Sequence, residues 1–258
     1  MSIHAHFNGQ PTLHAIHDGP TRRRTVRVFF IRGYDTDNDS TDGTHTYAPF
    51  DVFFLQSGHY SIRYFHYNPK ENMHAVYTRL CHILRKNPFE ILVGHSMGGC
   101  LLFRYATHAH PRWVATYHRL IFLMPLLYRR PVFASIFTIV PHVTKIHLPR
   151  CLSAATRRHD GNIWNESARW VSCEQIVQMY NEMMPQTDAE VVDMFAKTPN
   201  AVMMYASDEM LNVIPESIRT RIHPSQCVLV NGKHECFRDS SFSLGFFRGF
   251  RDILNHTM

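Results

Sequence analysis

The stretch "ILVGHSMGGCLLFRYA", residues 91–106, determines the predicted fold. Its first three residues are apolar and predict a buried strand, and its last ten are typical of a helix. A chain that turns sharply from strand to helix adopts backbone angles that bulky side chains resist, and Gly94 and Gly98 relieve those clashes. Ser96 is therefore expected to project from the carboxyl end of the strand, where the helix begins at Met97.

Length and composition predict one domain spanning residues 1–258. The chain is 45% hydrophobic, which is enough for one sizeable core. Its net charge is +6, but the Lys and Arg residues are scattered, so we do not expect nucleic-acid binding. No signal-peptide pattern and no apolar run of about 18 residues occurs. We therefore predict a cytoplasmic protein without a transmembrane segment.

Metal-binding patterns are weak. The six cysteines include no C-x-x-C pair and are expected to be reduced, and the nineteen histidines include no H-x-x-x-H or H-E-x-x-H pair. The loop "DTDNDSTDG", residues 35–43, is rich in Asp, but Ser40 and Thr46 stand where a calcium loop requires Gly and Glu. We predict that this loop is solvated and lies near the entrance of an active site, and we predict no metal site. Whether the loop itself binds a cation is left open by the sequence.

Alternating strand and helix patterns predict a mostly parallel sheet flanked by helices, which is an α/β fold. A hairpin at residues 3–15, with Asn8-Gly9 as its turn, comes first. The predicted strands cover residues 26–33, 60–67, 90–93, 120–125, 201–206 and 226–230. One predicted helix begins at Asn68-Pro69. Two others cover residues 97–108 and 241–254.

The region 126–198 interrupts this alternation. It contains Pro131, Pro141 and Pro149, a predicted helix over residues 167–184, and a capping box at Thr187 and Glu190 before another short helix. We predict that this region is a helical cap inserted into the domain.

The "GHSMGG" turn, preceded by "ILV", resembles the nucleophile elbow of the α/β-hydrolase superfamily, and the order of elements from 1 to 258 is similar to that fold. The resemblance implies a serine esterase or lipase without a cofactor, in which Ser96 is the nucleophile. It further implies that the backbone amides of Met97 and Tyr34 form the oxyanion hole. Arg32, His95 and Leu126 are expected close to the substrate.

The resemblance also implies an acid and a histidine, in that order, after later strands. The strand "AVMMYA" ends at Ser207-Asp208-Glu209, and we predict Asp208 as the acid, with Glu209 as the alternative if the register slips by one residue. Of the histidines beyond this point, His234 follows a predicted strand in "NGKHECF". His234 is therefore the predicted base.

The loop "RGY", residues 32–34, stands where the superfamily commonly has His-Gly and an apolar residue. Arg32 departs from that pattern, but the backbone amide of Tyr34 can still act as donor. The Arg32 guanidinium is expected either to recognise an anionic group or to pair with the acidic loop that follows.

The implied activity is hydrolysis of a carboxylic ester through an acyl-enzyme. The segment 120–140 is rich in Leu, Ile, Phe and Met, which favours an apolar or lipid-like acyl group. Thioester, amide and lactone substrates remain open, as do acyl transfer and a lyase reaction on the same scaffold. A binding protein that has lost the chemistry is a further alternative. The expected partner is a small-molecule ester, and the sequence does not decide the oligomeric state.

Overall fold

The computed structural model describes residues 25–33, 47–66, 71–109, 111–128, 145–147, 170–172, 175, 178–209 and 213–255. The predicted N-terminal hairpin, Tyr34 and the acidic loop 35–43 lie outside these residues, as does most of the predicted cap between residues 129 and 177. The extent of the cap therefore stays a prediction.

A parallel sheet forms the centre of the described fold. Its six strands are β1 (Val26–Ile31), β2 (Tyr60–Phe65), β3 (Ile91–His95), β4 (Arg119–Leu123), β7 (Ala201–Ala206) and β8 (Cys227–Val230). They lie in the order β2-β1-β3-β4-β7-β8 and all neighbours are parallel, as predicted. Two short strands, β5 (Lys145–His147) and β6 (Trp170–Ser172), form a separate antiparallel pair. Strand β3 lies inside the sheet, so its carboxyl end is flanked by two other strands.

Helices connect the strands and cover both faces of the sheet. They are α1 (Ala48–Ser57), α2 (Met73–Lys86), α3 (Met97–His108), α4 (Pro111–Val114), α5 (Asp188–Lys197), α6 (Glu216–Arg219) and α7 (Ser243–Asn255). A π-helical turn covers Met179–Met183, and a 3₁₀ turn covers Pro224–Gln226. Among the described residues, no helix has the length and apolar character needed to cross a membrane.

Each face of the sheet carries its own apolar core. Helices α2, α3 and α5 cover one face, and α1 and α7 cover the other. The second core is strongly aromatic, because the Phe50 ring contacts Phe237, Phe246 and Phe250 with centroids 5.0–5.7 Å apart. Burying each such side chain contributes about 1.5–3 kcal/mol to folding. The two cores fix the sheet between its helices, and the carboxyl edge of this sheet carries the candidate site.

Three local predictions differ from the structure. Helix α2 begins at Met73 rather than near Asn68-Pro69, because Asn72 is the N-cap and its side chain accepts the Ala75 amide at 2.8 Å. Helix α1 was not predicted. The segment 167–184 is not one helix, because Trp170–Ser172 pairs as a strand with β5.

The N-cap half of the capping box before α5 is confirmed, because the Thr187 hydroxyl accepts the Glu190 amide at 3.3 Å. The Glu190 carboxylate accepts the amide of Gln186, one residue before the N-cap, at 3.1 Å. One amide that the first helical turn leaves unpaired is thereby satisfied.

Candidate active site

Ser96 occupies the turn between β3 and α3 in a strained backbone conformation. Its φ is 53° and its ψ is −116°, a region that costs a non-glycine residue about 1–3 kcal/mol. The Ser96 amide donates to the Leu123 carbonyl at 3.0 Å, and the Ser96 carbonyl accepts the amide of Leu126 at 3.0 Å. These bonds hold the strained residue at the carboxyl ends of β3 and β4, and they bring Leu126 beside the elbow.

Three glycines allow the turn to pack. A Cβ on Gly94 would lie 2.6 Å from the Gly98 carbonyl oxygen, and one on Gly98 would lie 2.1 Å from the Ile31 carbonyl oxygen. A Cβ on Gly99 would lie 2.6 Å from the Cβ of Pro125. Gly94 and Gly98 thus lie where the elbow has no room for a side chain. Gly99 was not predicted, although it is the third glycine of "GHSMGG".

His234 is paired with Glu209. The His234 Nδ1 lies 2.7 Å from a Glu209 carboxylate oxygen, and the two side chains are only 12% and 4% exposed. Glu209 follows β7 and His234 follows β8, so the two loops meet at the carboxyl edge of the sheet. The prediction of Asp208 as the partner of this histidine is wrong, and the alternative, Glu209, takes that place.

The backbone explains the one-residue difference. Beyond the strands, Ser207 donates its amide to the Val230 carbonyl at 2.8 Å, and Asp208 donates its amide to the Gly232 carbonyl at 2.9 Å. These bonds extend the pairing of β7 with β8 by two residues, and Asp208 is exposed. Glu209 follows the end of this extension, and its buried carboxylate reaches His234.

The surroundings of His234 act on its pKa in opposite directions. Burial lowers the pKa, because it disfavours the charged imidazolium. The Glu209 carboxylate, through its charge and its hydrogen bond, and the Glu235 carboxylate raise it more. The pKa of His234 therefore lies above its ordinary value of 6.5.

His95 connects the elbow to the His234 loop. The His95 and His234 rings lie 4.9 Å apart between centroids, and His95 Nε2 lies 3.4 Å from the His234 carbonyl oxygen. Since Ser96 directly follows His95, this contact brings the predicted nucleophile and base to the same edge of the sheet.

The predicted oxyanion hole is described in part. Met97 begins α3, and the first amides of a helix have no partners within it and carry partial positive charge. Tyr34 lies outside the described residues. The preceding residue, Gly33, donates its amide to the Tyr47 hydroxyl at 2.7 Å. Helix α3 therefore supplies the electrostatic character expected of an anion site.

Arg32 is buried beside this loop. Its Nη1 lies 2.9 Å from His66 Nδ1, and its guanidinium lies 5.0 Å from the centre of the Tyr47 ring. The acidic loop 35–43, which was an expected partner of Arg32, lies outside the described residues, so that pairing stays a prediction. Within the described ranges, no cluster of three or more His, Cys, Asp or Glu side chains is arranged to hold a metal ion.

Tyr47 is a site residue that the sequence did not reveal. It precedes α1, and its hydroxyl contacts both Gly33 and His95 Nδ1, the latter at 2.8 Å. No motif includes it, because it lies far in sequence from the elbow.

Comparison with known proteins supports the fold. No protein-family profile and no curated protein matches the chain. A soluble variant of monoglyceride lipase from Saccharomyces cerevisiae is similar in structure, with a TM-score of 0.66, 17% identity, and coverage of 100% of this chain and 96% of that one. The monoacylglycerol lipase of Paleococcus ferrophilus has a TM-score of 0.58, 14% identity, and coverage of 91% and 97%. The thioesterase domain of the curacin biosynthetic pathway has a TM-score of 0.56, 13% identity, and coverage of 96% and 99%. The chain has the α/β-hydrolase fold.

Proposed function

We propose that the protein is a serine hydrolase that cleaves a carboxylic ester, with Ser96 as nucleophile, His234 as base and Glu209 as the acid. The observation that carries this proposal is the buried His234–Glu209 pair, 2.7 Å apart, at the same sheet edge as the strained Ser96. A serine hydroxyl attacks a carbonyl effectively only when an oriented base removes its proton.

The hydrogen bond to Glu209 supports a separate role for each nitrogen of His234. Because Nδ1 faces a carboxylate, the neutral ring carries its proton on Nδ1, and Nε2 accepts the proton of the Ser96 hydroxyl. As the Ser96 oxygen bonds to the acyl carbon, the imidazolium is stabilised by Glu209 and then protonates the departing alcohol. In the second half of the reaction, His234 takes a proton from water, the hydroxide oxygen bonds to the acyl carbon, and the Ser96 oxygen leaves and regains a proton.

The transition state carries negative charge on the former carbonyl oxygen. We assign its stabilisation to the amides of Met97 and Tyr34, aided by the positive end of α3. Removing one such donor typically lowers kcat by about 10²- to 10³-fold.

An apolar acyl group is the proposed substrate class. The amide of Leu126 is bonded to the Ser96 carbonyl, so the apolar segment that includes Leu126 and the buried Leu127 starts beside the nucleophile. The similarity to two lipases of monoglycerides supports the same class.

The test is turnover of p-nitrophenyl esters with acyl chains of increasing length, and of one thioester for comparison. We expect ester hydrolysis with a clear chain-length optimum, and a fall of about 10⁵- to 10⁶-fold in kcat for both Ser96→Ala and His234→Ala. Thermal unfolding of each variant is the control for folding. No turnover by folded wild-type protein, or equal turnover by Ser96→Ala, would contradict the proposal and favour a binding protein.

A further inference from the structure

Two buried side chains outside the proposed triad connect the loops around Ser96. Tyr47 and His95 are 1% and 2% exposed. The Tyr47 hydroxyl lies 2.7 Å from the Gly33 amide nitrogen and 2.8 Å from His95 Nδ1. The far side of the His95 ring, Nε2, lies 3.4 Å from the His234 carbonyl oxygen. One continuous series of hydrogen bonds thus runs from the oxyanion loop, through the elbow, to the loop of the base.

The chemistry of the end groups sets the direction of these bonds. The His234 carbonyl only accepts, so His95 Nε2 carries a proton and donates it. In the tautomer with its single ring proton on Nε2, His95 accepts the Tyr47 proton at Nδ1. The Gly33 amide only donates, so it donates to the Tyr47 oxygen. Every polar atom in the series then has a matching role.

The surrounding atoms leave little freedom for this series to shift. A Cβ on Gly33 would lie 2.9 Å from His95 Nδ1, 3.0 Å from the Tyr47 oxygen and 3.2 Å from the Cβ of Ser96. The Phe237 ring contacts both Tyr47 and His95, with centroids 5.9 and 5.2 Å away. Gly33, the elbow, and the Tyr47 and His95 side chains are therefore packed as a unit.

We propose that Tyr47 and His95 are positioning residues that align the oxyanion loop and the His234 loop with Ser96. This inference rests on the proposed function. Tyr47 holds the Gly33 amide, and the proposed donor amide of Tyr34 belongs to the adjoining peptide unit. His95 carries the same constraint to the backbone of His234. Tyr47 and His95 act by positioning these two loops, and they transfer no proton to or from the substrate.

Loss of the Tyr47 hydroxyl is expected to reduce kcat more than substrate binding. A donor displaced by about 1 Å costs on the order of 10²-fold in rate, because it is aligned only for the transition state. For Tyr47→Phe, which keeps the packed ring, we expect kcat to fall about 10- to 100-fold with KM within about twofold of wild type. Binding of an alkyl boronic acid, which forms a tetrahedral adduct with a serine, should weaken by about the same factor as kcat/KM.

The matched control is Tyr105→Phe, which removes another buried hydroxyl. Tyr105 lies in α3, and its hydroxyl contacts the Tyr117 hydroxyl at 3.0 Å, away from the elbow. For this variant, kcat, KM and boronic-acid binding should stay within about twofold of wild type even if the protein is less stable. Amide hydrogen exchange at Gly33, a readout independent of turnover, should speed up in Tyr47→Phe and not in Tyr105→Phe.

A second variant keeps the proposal testable if Tyr47→Phe fails to fold. His95→Asn keeps an oxygen that can accept from Tyr47 but is too short to reach the His234 carbonyl. We expect the Gly33 amide to remain protected in this variant while kcat falls. Equal kinetics and equal Gly33 exchange in Tyr47→Phe and Tyr105→Phe would overturn the positioning role while leaving Ser96-dependent turnover, and hence the proposed function, intact. Absence of Ser96-dependent turnover in the wild type would overturn both.

Discussion

Two buried glutamates at opposite edges of the sheet show how the same side chain serves different purposes. At the amino edge, Glu90 accepts the Arg27 backbone amide at 2.9 Å and the Arg27 guanidinium at 3.1 and 3.2 Å. At the carboxyl edge, a Glu209 carboxylate oxygen lies 2.7 Å from His234 Nδ1. Arg27 keeps its charge at every physiological pH, whereas a histidine changes its charge near neutrality.

The difference separates structural from chemical use of a buried carboxylate. Glu90 also links β1 to the start of β3 through its backbone, since its own amide donates to the Arg27 carbonyl at 2.9 Å. Together with the Arg27 amide that donates to the Glu90 carboxylate, this bond holds the two neighbouring strands together. In the proposed mechanism, the Glu209–His234 pair stabilises a charge that forms only during the reaction, as a base in acyl transfer requires.

Of the substitutions that test the comparison of Glu90 with Glu209, Glu209→Gln is predicted to have the largest effect, a fall in kcat. An amide cannot stabilise the imidazolium and favours the wrong tautomer, so we expect kcat to fall by on the order of 10³- to 10⁴-fold. The adjacent, exposed Asp208 provides the matched control, and Asp208→Asn should stay within about twofold of wild type. Steady-state ester hydrolysis checks both variants, and the opposite ranking would restore Asp208 as the acid.

Packing at the carboxyl edge gives the next largest effect. Gly98→Ala places a Cβ 2.1 Å from the Ile31 carbonyl oxygen, so the elbow must move away from β1. We expect a loss of more than about 3 kcal/mol in unfolding free energy, measured by urea denaturation. In contrast, Gly245→Ala in α7 meets nothing within 4 Å and should be neutral or stabilising by up to about 1 kcal/mol. Equal unfolding free energies for the two variants would contradict the described elbow.

Glu90→Gln tests the amino edge. The substitution removes the charge that pairs with Arg27, whose side chain is 42% exposed and therefore partly screened by water. We expect unfolding free energy to fall by about 1–3 kcal/mol, with kcat and KM of the folded protein unchanged. A fall in kcat without a fall in unfolding free energy would contradict a purely structural role for Glu90 at the amino edge.

The smallest effect concerns pH. With His234 as the proposed base, turnover requires its neutral ring, so kcat/KM should fall as the pH drops through the pKa of His234. Because that pKa is raised, the acid limb should lie above pH 6.5. In Glu209→Gln, burial acts without the opposing carboxylate of residue 209, so the pKa falls and the limb moves to lower pH. A limb that stays in place in this variant would show that another group controls it.

The sequence predicts the central fold because its patterns there are local. The elbow glycines mark the start of α3 at Met97, and the buried strands read as continuous apolar runs. Helix α1 escapes this reading, because its sequence "APFDVFFLQS" is apolar on most sides and lacks a clear helical period. The start of α2 was predicted at Asn68-Pro69, whereas Asn72 caps the helix. The Met73 amide also donates to the Gln178 side chain at 2.8 Å, a contact across 105 residues that no local pattern reports.

The site is predictable where position in the fold decides, and less so where side-chain direction decides. Ser96 and His234 were predicted because they follow strand ends, and in the structure they follow β3 and β8. Asp208 and Glu209 are adjacent carboxylates, and the choice depends on how far the pairing of β7 with β8 continues beyond the strands. Tyr47 enters the site only through a contact across 48 residues of sequence, which no local pattern reports.

The most direct test of the central claim is the mapping of a fluorophosphonate adduct by peptide mass spectrometry. A serine activated by a paired histidine attacks this reagent, so we predict a single adduct on the Ser96 side chain in wild-type protein. Labelling should be absent in Ser96→Ala and strongly reduced in His234→Ala. An unlabelled but folded wild-type protein, or an adduct at a residue other than Ser96, would contradict the assignment of Ser96 as nucleophile.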